Sequence, residues 1–580
     1  MAFDYLCSSL PGQLVKNSKS FMIETPIYKN QVTEEIGMSN KIAGIVIKSN
    51  AVFDGTGEKP FKGGIAIGGN KIIAVKPGNE IDEYITESTK TYGYENCLVM
   101  SGFNDSHTHI SFGSFLMDED FCRNIEDCKS LEECLADMKE FADTHPDNDW
   151  VFGHHFYQLA WENPVMPSRH DIDNIIPDRP VVLQHMDFHT LVANSKAMEE
   201  RGITKDTPNP FGGIIEKNAE GELTGRFYDH ATFLFTKPIY TPSEDVYKKV
   251  FRKFMNKTAM LGVTSITELY PNGVGCDDVY AYYKQLDEEG EMKIRLSFFP
   301  ELNDFDVNTY NQIVNQYHSD KVACKGVKQL IDGVSTTYTA YLIEPYTDNP
   351  STCGQTSIPE ADLRRDIMRV CEAGVAARLH AIGDGAVRFG LDAIEDGMKK
   401  YGNRGVRHGL EHLENVDPDD LSRFKELGVV ANMQPMHCVF DPVGSEHLLG
   451  KKRCELAWPM KSILNAGGVL ALGTDFPIVG LEPLEEVFAA VERTKLDGYP
   501  EGGWIPKEKL SMAETLRAYT YGSAYSTGSE EKVGTLADGM LADVIVIDRN
   551  LFDIPPKEIL EAKVILTIFD GKEIYSDSIE

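Results

Sequence analysis

The 580-residue chain has no block of basic residues, no Cys-x-x-Cys pair and no apolar run of membrane-spanning length. Its 57 basic residues are outnumbered by 90 acidic ones, for a formal charge of -33. Nucleic acid and anionic membranes are bound by clustered Lys and Arg, so neither is expected as a partner. The eleven cysteines are odd in number and scattered, which fits free thiols in a reducing compartment rather than a disulfide framework. Cys122, Cys128 and Cys134 are evenly spaced in a helical-looking segment and read as small apolar residues. The N-terminus lacks the basic and apolar regions of a secretory signal, so a cytoplasmic location is expected. Residues 1–40 show no strong periodicity and are read as an N-terminal arm without assigned structure.

What the chain does have is alternation. Short apolar strands run from Ile42 to Lys48, Gly64 to Gly68 and Lys71 to Val75, with turns at Asp54-Gly55 and Gly69-Asn70. Matching strands, Ala542 to Asp548 and Lys563 to Phe569, precede the turn Asp570-Gly571. Residues 41–98 and 530–580 are therefore expected to form one small β-sandwich from both termini. Between them strands alternate with helices, the pattern of a parallel sheet. A first strand, Cys97-Leu98-Val99-Met100, leads into Ser101-Gly102-Phe103-Asn104-Asp105-Ser106-His107-Thr108-His109. Further strands run from Gly262, Lys293, Gly326, Gly374, Arg407, Val429 and Val469. That makes eight, the number that closes a (β/α)8 TIM-like barrel, here residues 99–529. Thr241 to Glu244 and Ser511 to Glu514 read as capping boxes, and Gly374 and Gly428 as helix stops. The segment of about 111–240 follows the first strand, holds strands of its own and is read as a cap over the barrel rim. The alternative is an excursion that decorates the fold or forms an oligomer.

Side chains two apart on a strand share a face, so His107 and His109 can grip one metal ion. Ionisable groups also fall at other strand ends: Lys328 on the fourth, His380 on the fifth, His412 on the sixth and Asp475 on the eighth. In a barrel such ends converge. Imidazoles with a carboxylate suit a divalent transition metal, which lowers the pKa of a bound water towards neutrality.

This set, with a β-domain split between the termini, resembles the amidohydrolase superfamily and, within it, the YtcJ-like, amidohydrolase-3 branch that includes N-substituted formamide deformylases. The resemblance runs from about residue 42 to the C-terminus. Its pieces are Gly102 to His109, Pro180-Val-Val-Leu, His189 with Asn194-Ser195, Gly326-Val-Lys328 with Asp332-Gly333, His380 to Ala386, Glu411-His412, Gly473-Thr-Asp475-Phe-Pro477 and Ala542-Asp543-Val544. It implies that His107, His109 and Asp475 hold one metal and His380 and His412 a second, with Lys328, carboxylated on its amine, as the bridge. Zinc is expected, one or two per chain, with iron or manganese as alternatives. A charged Lys328 paired with a carboxylate in a one-metal site is the competing arrangement.

The resemblance further implies a metal-dependent hydrolase that cleaves a non-peptide C–N bond, such as an N-formyl or N-acyl amine, by metal-activated hydroxide. Asp475 would carry the proton, and His412 would stabilise the oxyanion if one metal is present. The partner is a small amide-type molecule, and a homodimer is expected. Competing functions are a deaminase of a cyclic amidine and a catalytically silent scaffold. Departures from the family fall in the cap: Phe188 stands where Gly is usual before His189, and His154-His155-Phe156-Tyr157 replaces a Trp-containing segment. His189, Phe188 and His155 are thus expected to contact substrate, with a satisfied interior imidazole as the alternative for His189.

Overall fold

The computed structural model describes residues 42–57, 59–239, 244–270 and 279–577. The N-terminal arm and the start of the capping box at Thr241 lie outside the described residues. In chain order the strands begin with β1 (Ile45–Phe53), β2 (Phe61–Gly68), β3 (Lys71–Pro77), β4 (Lys90–Ser101) and β5 (Phe103–Thr108). Next come β6 (Arg123–Asn124), β7 (Val151–Phe156), β8 (Val181–His185), β9 (Thr190–Ala193), β10 (Gly213–Lys217) and β11 (Leu223–Asp229). Strands separated by helices follow: β12 (Val263–Leu269), β13 (Arg295–Phe299), β14 (Val322–Cys324), β15 (Val327–Leu330), β16 (Ala377–Ala381), β17 (Gly409–His412), β18 (Val430–Met433) and β19 (Val469–Leu472). The chain closes with β20 (Val544–Ile547), β21 (Val564–Phe569) and β22 (Lys572–Ser576).

The two termini share a seven-stranded sheet in the order β22-β21-β20-β4-β1-β2-β3. Its hairpin ends on Asp570 and Gly571, both at positive φ (50° and 75°), as a tight turn between twisted strands requires. The expected sandwich is one continuous sheet that curls on itself. Backbone bonds from Ile72 N to Met540 O and from Ala542 N to Asn70 O bring edge strand β3 beside the segment leading into β20. Ile65, Ile72, Val99, Val544 and Ile568 therefore meet in one apolar cluster.

Two parallel sheets form the centre, ordered β14-β13-β12-β5 and β15-β16-β17-β18-β19. β14 and β15, separated by Lys325-Gly326, carry the chain from one sheet to the other. Parallel bridges between Glu301 and Lys328 and between Thr108 and Phe476 join the sheets at both edges. Gly374 and Gly428, at φ 67° and 65°, end the helices before β16 and β18, where left-handed backbone favours glycine. Ser511 and Glu514 form a reciprocal capping box.

Two expectations need correction. The run Cys97–Met100 belongs to β4 in the terminal sheet, paired with β1 and β20; the chain turns at Gly102 into β5, which carries His107. β5 escapes a reading by hydrophobic pattern because Phe-Asn-Asp-Ser-His-Thr is buried throughout although most of it is polar, with Asp105, His107 Nδ1 and Thr108 met by hydrogen bonds. Of the three evenly spaced cysteines only Cys134 is helical, in Leu131–Thr144, although all three are buried.

Residues between β5 and β12 add a six-stranded sheet, β10-β11-β9-β8-β7-β6, with its own core around Met138, Phe141, Val151, Leu183 and Val192.

The terminal sheet is fastened to the central one by Arg295 of β13. Its guanidinium donates to Asp543 from Nε (2.6 Å) and Nη2 (3.0 Å) and to Asp570 from Nη2 (3.2 Å). Asp543→Ala would leave a buried guanidinium short of its main partner. Breaking a buried pair costs about 3–5 kcal/mol, so a loss on the order of 3 kcal/mol is expected in denaturant unfolding of the full chain; a change under about 1 kcal/mol would show that the clamp is dispensable.

Candidate metal centre

His107 on β5, Lys328 on β15, His380 on β16, His412 at the end of β17 and Asp475 just beyond β19 lie at or near the same end of the parallel sheets. His109 follows β5 and precedes the helix Ile110–Leu116. β5 and β19 approach closely because Gly473 carries no side chain: a Cβ there would sit 2.6 Å from both Asp105 Oδ1 and His107 N. Asp105 then accepts from Thr474 N (3.0 Å), Thr474 Oγ1 (2.7 Å) and His107 N (3.1 Å). The Gly-Thr-Asp motif is thus a backbone clasp that delivers Asp475 to His107.

Each of the first two imidazoles has one nitrogen committed. His107 Nδ1 donates to Glu411 Oε2 at 2.7 Å, and Glu411 is itself held by the buried guanidinium of Arg378. His109 Nδ1 donates to Leu269 O at 2.7 Å, an acceptor only. In their neutral forms both rings therefore present bare Nε2 lone pairs, which lie 3.3 Å and 3.2 Å from Asp475 Oδ1. His107 Nε2 and Asp475 Oδ1 are buried and have no hydrogen-bond partner. Three acceptors facing one another repel unless a cation lies among them. Ligand atoms of His107, His412 and Asp475 lie within 4.8 Å of one another, so the donor set fits a divalent metal.

His412 donates Nδ1–H to Gln434 Oε1 at 3.0 Å, and its ring centre is 4.5 Å from that of His380. His380 Nε2 lies 3.2 Å from Gly333 O, which leaves Nδ1 as its free lone pair. Burial, together with the nearby Lys328 amine, holds His107, His380 and His412 well below the usual histidine range. They are neutral, as ligands must be. Burial would raise Asp475, but positive charge on the His107 side and a hydrogen bond from the His109 side outweigh it and bring Asp475 to about 2; with the rings neutral, a bound cation is what would supply that charge. Lys328 is pushed down to about 8, chiefly by burial. Among the described residues it has no ion-pair or hydrogen-bond partner for its amine.

The cluster opens into a cavity of about 260 Å³ that reaches the six-stranded sheet. Phe188 lines it, its ring tilted against that of Phe112 with centroids 5.6 Å apart. His189 lines it too, with Nδ1 donating to Asp229 Oδ1 at 2.8 Å. Burial disfavours the His189 charge, but the hydrogen bond and charge of Asp229 prevail and raise its pKa. His155 does not line the cavity: its Nε2 is taken by Pro477 O at 2.7 Å, and its ring backs onto Phe188 at 5.1 Å. The expected substrate contact at His155 is therefore corrected to a support behind the wall. His412, Asp475, Phe188 and Asp229 all adopt left-handed backbone, which costs on the order of 1–3 kcal/mol each and is concentrated at functional sites.

Sequence reasoning missed His437, whose Nε2 is 3.9 Å from Asp475 Oδ2 and whose ring stacks 6.2 Å from His412. Its signal was present: Gln434-Pro435 ends β18 and starts a helix with His437 in its first turn. It also missed the roles of Glu411 and Arg378, because nothing local marks a carboxylate that acts through another residue.

The Amidohydrolase family pattern, amidohydrolase-3 group, matches residues 94–575; the chain belongs to that family. Protein LONG AFTER FAR-RED 3 of Arabidopsis thaliana is 28% identical, over 92% of each chain. YtcJ of Bacillus subtilis is 28% identical over 86% of this chain and 92% of its own. N-substituted formamide deformylase of Arthrobacter pascens is 24% identical over 87% and 94%. A crystal structure titled as an uncharacterized metal-dependent hydrolase from Pyrococcus furiosus superposes with TM-score 0.67 at 24% identity, covering 88% of this chain and all of that one.

Residues that orient a metal-ligating imidazole typically contribute about 10–100-fold to metal affinity. Glu411→Gln, which keeps an acceptor but removes the charge, should weaken metal binding by about tenfold or more in competition with a chelator. Unchanged affinity would show that Glu411 merely fills space.

Proposed function

We propose that the protein is a metal-dependent hydrolase of a non-peptide C–N bond, an N-formyl or N-acyl amine, working at the mouth of a closed (β/α)8 barrel capped by residues 111–240. The convergence of His107 Nε2, His109 Nε2 and Asp475 Oδ1, with both ring N–H groups spent elsewhere, carries this reading. The bridges at both edges of the central sheets support closure. His107, His109 and Asp475 would hold one ion, and His380 and His412 a second. When bound, a divalent ion supplies Lewis acidity and makes hydroxide available near neutral pH.

The chain's own groups do the rest. Asp475, ionised at working pH, takes the proton of the attacking water and passes it to the leaving nitrogen. Phe112 and Phe188 form a wall that keeps bulk water from the cluster. His189, held by its hydrogen bond to Asp229, faces His380 at 5.8 Å between ring centres and is placed to hold the carbonyl side of the substrate. A neutral Lys328 amine adds carbon dioxide to give a carbamate and one proton, and that carbamate would be the bridge. Its lack of an ion-pair or hydrogen-bond partner among the described residues supports this over a charged Lys328 paired with a carboxylate.

Elemental analysis of the purified protein, followed by a hydrolysis screen over N-formyl, N-acyl and cyclic amides, tests the reading. Bound zinc, iron or manganese with release of an amine is expected; ammonia from a retained ring, or metal-free protein with full activity, would overturn it. Lys328→Ala should lower metal content from near two per chain towards one, with partial rescue by a short carboxylic acid. One metal in the wild type beside an unmodified Lys328 would reject the bridge. Asp475→Asn should keep much of the metal and lose at least about 10²–10⁴-fold in turnover, the usual share of acid–base catalysis. A loss under about tenfold would remove Asp475 as proton carrier.

A further inference from the structure

The cavity wall is rich in carboxyl groups. It includes those of Asp187, Asp229, Asp441 and Asp475, and those of Asp332 and Glu414, which burial pushes up to about 7 and about 8, but among the described residues its only Lys or Arg is Lys328, which belongs to the metal cluster. No guanidinium there offers a carboxylate or phosphate the paired hydrogen bonds of a salt bridge, so away from the metal cluster and His189 the wall favours donors.

Unsatisfied acceptors point the same way. Gln184 and Asp229 line the cavity and are 0% and 7% exposed. Gln184 Nε2 donates to Thr190 O at 2.8 Å, which fixes the amide and leaves Oε1 without a partner. Asp229 Oδ1 accepts a hydrogen bond from His189 Nδ1, and Oδ2 has no partner. Both orphan atoms accept hydrogen bonds and offer none, so a ligand that satisfies them must donate.

Asp441 supplies the charge. It lies one turn beyond His437 along the chain, where Pro435–Phe440 gives way to Pro442–Leu449. Its Oδ1 caps the second helix by accepting from Gly444 N at 2.9 Å. Its Oδ2 has only the Tyr157 hydroxyl, at 3.5 Å. A half-buried carboxylate oxygen with one long contact, set in a cavity wall, is an open position for a cationic donor. The formal charge of -33 on the whole chain favours the approach of cations and opposes that of anions.

From this we infer that the substrate is cationic: an amide whose amine portion also bears a protonated amine or amidine, held by Asp441 at the mouth while the scissile carbonyl reaches the metal cluster. This rests on the hydrolase reading above and narrows its substrate class.

The test uses the zinc-loaded full chain and two N-formyl substrates of equal length, one ending in an ammonium and the other in a methyl group. The ammonium substrate should have a kcat/KM at least about tenfold higher, since a hydrogen bond to a charged group is worth that much. The preference should shrink with salt and collapse towards one in Asp441→Asn, where asparagine keeps the helix cap. Equal rates in the wild type, or a preference that survives Asp441→Asn, would overturn the inference. If neither substrate is cleaved, the hydrolase reading fails, and binding still decides the charge preference. By calorimetry 3-phenylpropylammonium should bind at least about tenfold tighter than 3-phenylpropanol, again only with Asp441 intact; equal affinities would overturn it. Neutral molecules serve as the comparison because a carboxylate would ligate the metal directly.

Discussion

Two imidazole Nε2 atoms each lie 3.2–3.3 Å from one carboxylate oxygen, while the Nδ1 atom of each ring is already engaged elsewhere. This constraint organises the site. The Glu411 carboxylate and the Leu269 carbonyl fix which nitrogen each ring turns inward, and Arg378 fixes Glu411. Asp105, Thr474 and Gly473 draw β19 against β5 so that Asp475 reaches both rings. Such a cluster costs free energy when empty of a cation, and its surroundings hold it together against that cost.

The same logic explains why polar residues fill places where a core would normally be apolar. β5 is buried over its full length yet contains Asn104, Asp105, Ser106 and His107. Left-handed backbone at His412 and Asp475 turns their side chains at strand ends that would otherwise run straight. The surrounding strands, with apolar clusters on both the central and terminal sheets, supply the rigidity that keeps these conformations populated.

Much of this was legible beforehand. The parallel strands announced themselves through β-branched runs bounded by Gly374 and Gly428, and the paired terminal strands through Gly-Asn and Asp-Gly turns. His107, His380, His412 and Asp475 stood out because ionisable side chains at the ends of apolar runs need a reason to be there. Residues that act through contacts distant in sequence were not legible. Glu411 meets His107 across 304 positions, and Arg295 meets Asp543 across 248. The misplacement of β5 has a similar origin: a buried strand made mostly of polar residues, whose partners lie on distant segments, shows no hydrophobic period. His155 and His189 look alike in sequence; only the carbonyl of Pro477 and the carboxylate of Asp229 give one a structural and the other a cavity-facing part.

The proposed function puts a metal ion between His107, His109 and Asp475. Anomalous diffraction at the metal edge, on crystals of the protein purified without added metal, tests it most directly. The account predicts a peak about 2.0–2.2 Å from His107 Nε2, His109 Nε2 and an Asp475 oxygen, the range of zinc bonds to nitrogen and carboxylate. Protein without metal at this position, with His109 Nε2 carrying a proton to Asp475, would contradict it.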